Sequence, residues 1–178
     1  MKLWEVDTSW TLFLDRDGVI NERKFGGYIT SQSEFIFQKG VLEAFSMFNK
    51  SFGKIIVVTN QQCVAKGILS TSELDGIHKY MLMQIESCGG RVDRIYSAHE
   101  IKGAPPFHRK PYPAMAMFAK EEFPSIDFSK SIMVGDTDSD IEFGKNLGMK
   151  TVLVLSKEVT KSTPDISIEK LSDLCAYF

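Results

Sequence analysis

Three cysteines in 178 residues are too few and too odd a number for a disulfide framework, and Cys63, Cys88 and Cys175 show no CxxC spacing. Their scarcity fits a reducing compartment, so a cytoplasmic protein is expected. Excess charge of one sign is also missing. With 21 Lys and Arg against 23 Asp and Glu the net charge is −2, so no global positive field draws in a polyanion, and nucleic acid is not an expected partner. No apolar run reaches bilayer length, and the opening MKLWEVDTSWTLFLDRDG has scattered charges and no small-residue cleavage site. Neither a membrane span nor a signal peptide is expected. Repeats and low-complexity tracts are absent too, which sets aside fibrous and disordered classes. What is left is an ordinary globular composition, 43% hydrophobic and 25% charged. One domain over residues 1–178 is expected, of a size that buries roughly two-thirds of its unfolded surface.

Short apolar runs without strict alternation recur at Thr11–Leu14, Lys54–Thr59, Arg94–Ser97, Ser131–Val134 and Thr151–Leu155. Such runs suit strands covered on both faces, as in a parallel sheet. Helical periods lie between them. From Ser70 to Cys88 apolar side chains fall at Leu74, Ile77, Met81 and Ile85, and Ser70-x-x-Glu73 reads as a capping box. Further helices are expected around Val41–Phe48, over Ala114–Phe123 and Ser139–Leu147, and at the end over Ser172–Phe178. Alternating strand and helix predicts an α/β, doubly wound, Rossmann-like parallel sheet flanked by helices, with its active site at the carboxyl ends of the strands.

The chemistry-bearing residues fall at those ends. Strand one runs into Asp15-Arg16-Asp17-Gly18. One Asp can attack phosphorus, forming an aspartyl phosphate, provided a cation offsets the repulsion; the other can protonate the leaving alkoxide and then deprotonate water. Strand two exits through Thr59-Asn60-Gln61, which offers hydroxyl, amide and backbone N–H donors to a phosphate. Arg109-Lys110-Pro111 precedes the third helix; Lys110 suits a point charge on a transferring phosphoryl, and Arg109 suits forked recognition of a second anionic group. Strand four ends in Gly135-Asp136-Thr137-Asp138-Ser139-Asp140, hard oxygen ligands of the kind that hold Mg²⁺. Taken singly, each motif also has an ordinary reading: an Asp-capped turn, a strand exit, a solvated basic pair, an acid-rich helix start. Their order, each after a strand, is what makes them specific.

This ordered set resembles the haloacid dehalogenase superfamily. FLDRDGVIN, VVTNQ, HRKPYP and MVGDTDSD are similar to the branch of heptose 1,7-bisphosphate and histidinol-phosphate phosphatases. The resemblance implies a Mg²⁺-dependent phosphomonoester hydrolase acting on a small phosphorylated metabolite, with heptose bisphosphate the first substrate to try. It also implies residue roles. Asp15 would be nucleophile and metal ligand. Asp17 would be acid and base, with its backbone carbonyl on the metal. Thr59 and Lys110 would hold the phosphoryl group, Asn60 and Arg109 would contact substrate, and Asp136 and Asp140 would complete the metal site.

Only 42 residues separate Asp17 from Thr59 and 51 separate Thr59 from Lys110, too few for the cap domain many superfamily members carry. The site is therefore expected to be roofed by loops or by a partner subunit, in a monomer or small homo-oligomer. Two departures stand out. The branch has a zinc loop of three Cys and one His, whereas Ser97–Arg109 holds only His99 and His108, so zinc is not expected. Gln62-Cys63 also replaces the usual Ser-Gly. The loops Asn21–Tyr28 and His99–Arg109 each carry net +1, which favours a second substrate phosphate over the cationic histidinol phosphate. A nucleic-acid 3′-phosphatase is disfavoured by overall charge, and a non-catalytic protein would have no need of the full set.

Overall fold

The computed structural model describes residues 3–178. The chain order is β1 (Thr11–Leu14), α1 (Val41–Ser51), β2 (Lys54–Asn60), α2 (Thr71–Ser87), β3 (Arg94–Ala98), α3 (Ala114–Glu122), β4 (Ser131–Gly135), α4 (Asp138–Asn146), β5 (Lys150–Val154) and β6 (Ile166–Ile168). Short 3₁₀ turns occupy Gln32–Glu34, Phe128–Lys130 and Leu171–Ala176. All strand pairs are parallel, in the order β3-β2-β1-β4-β5-β6.

The two faces follow from strand periodicity. Leu12, Leu14, Ile55, Val57, Ile132 and Val134 point to one side, where they pack with Val41, Phe45 and Phe48 of α1 and Leu74, Ile77, Met81 and Ile85 of α2. Phe13, Ile56, Val58 and Met133 point to the other, against Met115, Ala116 and Ala119 of α3 and Phe143 of α4. Burial on both sides explains why these strands read as unbroken apolar runs. The helix start at Ser70 is as expected, with Ser70 and Glu73 forming a reciprocal capping box.

Two elements depart from expectation. β6, three residues with only Ile168 buried, has no apolar run to announce it. The terminal segment forms a 3₁₀ helix over Leu171–Ala176 rather than an α-helix over Ser172–Phe178. Its buried side chains, Leu171 and Leu174, are three residues apart, the period of a 3₁₀ turn.

The chain winds outward from β1 through β2 to β3, then returns to place β4 on the other side of β1. A crevice opens where the winding direction reverses, beyond the carboxyl ends of β1 and β4. The connection from β1 to β2 holds one 3₁₀ turn and α1, and that from β2 to β3 holds α2.

Candidate active site

Asp15 leaves β1 and Asp136 leaves β4, so the crossover sets two carboxylates side by side at the crevice. Asp15 N–H also donates to Val134 O at 2.9 Å, extending the pairing one residue past the strand. Two glycines allow this closeness. Gly18 turns the chain with φ +91°, and a Cβ there would lie 2.2 Å from Asp136 Oδ2; a Cβ on Gly135 would lie 2.0 Å from Asp140 Cβ.

Lys110 sits at the centre of the floor. Its buried ammonium is 2.7 Å from Asp15 Oδ1 and 2.7 Å from Asp140 Oδ1, and it donates to Val58 O at 2.7 Å. Burial alone would lower its pKa, but the two carboxylates raise it, so the cation is firmly charged. Asp140 Oδ2 accepts from Thr137 N–H and Oγ at 3.0 and 2.7 Å, which fixes the carboxylate at the start of α4.

Asp15, Asp136 and Asp140 each bring a carboxylate oxygen within 4.8 Å of the others. Burial first, then the neighbouring acids, pushes Asp15 up to about 7 despite Lys110. Burial and Asp140 push Asp136 up to about 6 despite Arg23. Asp136 Oδ1 is buried with no hydrogen-bond partner among the described residues. Crowded, buried hard oxygens with one atom unsatisfied fit a divalent cation. Asp138 is not in this cluster; it accepts from Lys161 and Ser162 N–H at 2.8 and 2.7 Å and tethers the loop before β6.

Asp17 lies in a different environment. Arg16 Nη2 donates to Oδ1 and Oδ2 at 3.1 and 2.9 Å, Asn21 donates to Oδ1 at 2.9 Å, and Gln61 to Oδ2 at 2.8 Å. Burial favours the neutral acid, but Arg16 and the amide donors outweigh it and hold the carboxyl below its usual range. The sequence motifs give no role to Arg16, Asn21 or His78, whose Nε2 meets Arg16 Nη1 at 3.1 Å, and name Gln61 only within a phosphate-donor set. A His on the otherwise apolar face of α2 was the one available signal.

Of the other expected site residues, Thr59 is buried beside the cluster, its Oγ accepting from Gln61 at 2.8 Å. The Asn60 amide faces the Lys110 backbone on both edges: Nδ2 donates to Lys110 O at 3.3 Å and Oδ1 accepts from Lys110 N–H at 3.0 Å. Asn60 thus braces the lysine. Arg109 stands at the cleft wall, donating to Glu100 O at 3.3 Å, while Glu100 Oε1 gathers the N–H groups of His108 and Arg109 at 2.6 and 2.7 Å. His99 bonds Ser97 Oγ at 2.8 Å, and His108 packs edge-on against Phe118.

Asp15, Asp17, Thr59, Asn60, Arg109, Lys110 and Asp140 line a cleft of about 620 Å³ that also takes in Tyr28, Lys102 and Glu158. Several of its expected free cations are engaged. Arg23 spans Asp136 at 3.0 Å and Glu158 at 3.3 Å, Lys24 pairs with Glu34 at 2.6 Å, and Lys66 donates to Tyr28 OH at 2.9 Å. Loop charge read from composition overstates what a second phosphate would meet, because acids elsewhere in the sequence fold back onto Arg23 and Lys24.

Residues 107–174 match the HAD-hydrolase-like family model. The D-glycero-D-manno-heptose-1,7-bisphosphate 7-phosphatase of Chlorobaculum tepidum is 34% identical over 160 residues, 84% of this chain and 80% of that protein. The D-glycero-alpha-D-manno-heptose-1,7-bisphosphate 7-phosphatase of Campylobacter jejuni is 30% identical over 94% of each chain. Among solved structures, the D,D-heptose 1,7-bisphosphate phosphatase of B. bronchiseptica, crystallised with magnesium and phosphate, superposes with a TM-score of 0.83 at 24% identity, covering 94% of this chain and 96% of that one. No helix among the described residues is long and apolar enough to cross a membrane.

Proposed function

Because the chain belongs to the haloacid dehalogenase-like hydrolases, in the branch of the heptose 1,7-bisphosphate phosphatases, we propose that it hydrolyses a sugar bisphosphate through an aspartyl phosphate on Asp15. The observation that carries this reading is the Asp15–Lys110–Asp140 chain: a nucleophilic carboxylate held 2.7 Å from a buried ammonium that is itself fixed by a second acid.

In the first half-reaction an Asp15 oxygen bonds to phosphorus as the bond from phosphorus to the sugar oxygen breaks. The electron pair leaves with that oxygen, which takes a proton from Asp17; that carboxyl, ionised at rest, first takes the proton up from water on its quarter-exposed side. In the second, Asp17 as carboxylate takes a proton from water, the water oxygen bonds to phosphorus, and Asp15 departs, releasing phosphate. Lys110 holds the phosphoryl oxygens and Asp15 together, and Thr59 offers its hydroxyl proton to the same group. Asp15, Asp136 and Asp140, with the backbone carbonyl of Asp17, are the groups that would hold Mg²⁺. The bound ion would offset the charge of nucleophile and phosphoryl oxygens. Asn60 acts by bracing Lys110, and Arg109 with Lys102 meets the second phosphate, since Arg23 and Lys24 are paired with acids on the rim.

The test is a panel of heptose 1,7-bisphosphate, its monophosphate, histidinol phosphate and a 3′-phosphorylated oligonucleotide. The bisphosphate should show the highest kcat/KM. Losing a charge-assisted contact costs about 1.5–3 kcal/mol, so Arg109→Ala should lower that value roughly 10- to 150-fold and harm a minimal aryl phosphate less. Equal losses on both, or histidinol phosphate leading the panel, would remove the second-phosphate argument.

A further inference from the structure

Arg16 is the largest fully buried side chain among the described residues. Its Nε has no hydrogen-bond partner among the described residues. Nη2 forks onto Asp17, and the guanidinium lies 5.9 Å from the ring centroid of Phe35. Nη1 meets His78 Nε2 at 3.1 Å, across 62 residues of sequence. An arginine can only donate, so His78 Nε2 must accept, which leaves the imidazole neutral with its proton on Nδ1. Burial and the Arg16 charge hold the His78 pKa down to about 3, in keeping with that assignment.

The position of His78 supports a purpose beyond filling space. It lies four residues after Leu74 and three before Met81, on the buried face of α2, where an apolar side chain would pack without a polar atom to satisfy. In a dry pocket a guanidinium with an unmatched N–H turns toward whatever acceptor it can reach. Asp17 stays a quarter exposed to the cleft while its two oxygens are gripped from three sides. The aim of that carboxylate therefore depends on where Arg16 is anchored.

We propose that His78 is a positioning residue: acting through Arg16, it holds the Asp17 carboxyl where it can hand its proton to the leaving oxygen. The inference rests on the phosphatase reading above and adds to it a residue from a helix that touches neither phosphate nor metal ligand.

Leaving-group chemistry separates positioning from mere structural support. The value of kcat/KM reports steps through departure of the leaving group. Phenyl phosphate releases a basic phenoxide, with a conjugate-acid pKa near that of tyrosine, about 10, and gains from an acid; 2,4-dinitrophenyl phosphate releases a weakly basic anion and needs none. The variant His78→Phe keeps a ring and loses the acceptor. Misplacing a reacting group by about 1 Å can cost on the order of 100-fold, so kcat/KM for phenyl phosphate should fall about 10- to 100-fold and that for the dinitrophenyl ester should barely move. His78→Gln, which offers an amide oxygen to Arg16, should regain most of the loss. In an Asp17→Asn background His78→Phe should add nothing further, because the two act as one unit.

Thermal unfolding confirms that each variant folds; if the Phe ring proves too bulky, His78→Leu carries the same comparison. Equal losses on both esters, or additive losses with Asp17→Asn, would overturn the proposal. Wild-type protein that hydrolyses neither these esters nor heptose 1,7-bisphosphate would instead overturn the phosphatase reading itself.

Discussion

Asp15 and Asp17 are two residues apart on one turn, yet their surroundings push them in opposite directions. Asp15 shares one lysine with Asp140 and lies close to Asp136, and burial with acidic neighbours lifts its carboxyl to about 7. Asp17 faces a guanidinium and two amides, and its carboxyl stays below its usual range. One side carries surplus negative charge and the other is already neutralised. The difference shows that a DxD motif is not two equivalent acids: a cation belongs on the Asp15 side, and a proton-transfer group can be held without one on the Asp17 side.

The largest expected effect tests that asymmetry directly. Asp15→Asn should abolish phosphate release, since an amide neither attacks phosphorus nor gives the same charge to Mg²⁺, while Asp17→Asn should slow it by about 10²–10⁴-fold. Substantial turnover in Asp15→Asn would end the covalent assignment. Next comes the cation on the Asp15 side. Lys110→Met leaves Asp15 and Asp140 buried without their shared partner and should cost about 3–5 kcal/mol in urea unfolding without Mg²⁺. Added Mg²⁺ should recover part of it. The matching change on the Asp17 side is Gln61→Leu, which removes one of three donors to that carboxylate. It should cost about 1.5–3 kcal/mol, with little response to Mg²⁺. A Mg²⁺ response as large as that of Lys110→Met would blur the two sides into one.

The smallest effect is a pH slope. Folding holds His78 at about 3, against about 6.5 in an unfolded chain. Its folded pKa is depressed, so the unfolded state binds the proton first and stability falls as pH drops from about 6.5 toward 3. At saturating Mg²⁺, lowering pH from 7 to 5 should lower the Tm of the wild type more than that of His78→Gln. Parallel Tm curves for the two would show that the imidazole is not held neutral.

Much of this was legible in the sequence because it is local. Asp15, Asp136 and Lys110 sit in short motifs beside strands, and the apolar runs locate β1, β2 and β4 nearly residue for residue. The motif alone does not separate Asp138 from Asp140, which only the resemblance distinguishes in the sequence: both open the same helix, and its winding turns one into the cluster and the other toward Lys161 and Ser162. Arg16 with His78, and Arg23 with Glu158, leave little local trace: apart from one polar residue on the apolar face of α2, a side-chain pair spanning the fold leaves no period and no composition bias.

Gly18 and Gly135 bear on how related sequences should be read. The acids of the cluster come together only where two methyl-sized volumes are missing, at 2.2 Å from Asp136 Oδ2 and 2.0 Å from Asp140 Cβ. A homologue that kept every aspartate but carried alanine at either place would have its carboxylates shouldered apart, and a search for acidic residues alone would count it as intact. The footprint of this centre is therefore five positions rather than three, and anyone grafting it onto another scaffold must transplant two hydrogen atoms along with the oxygens.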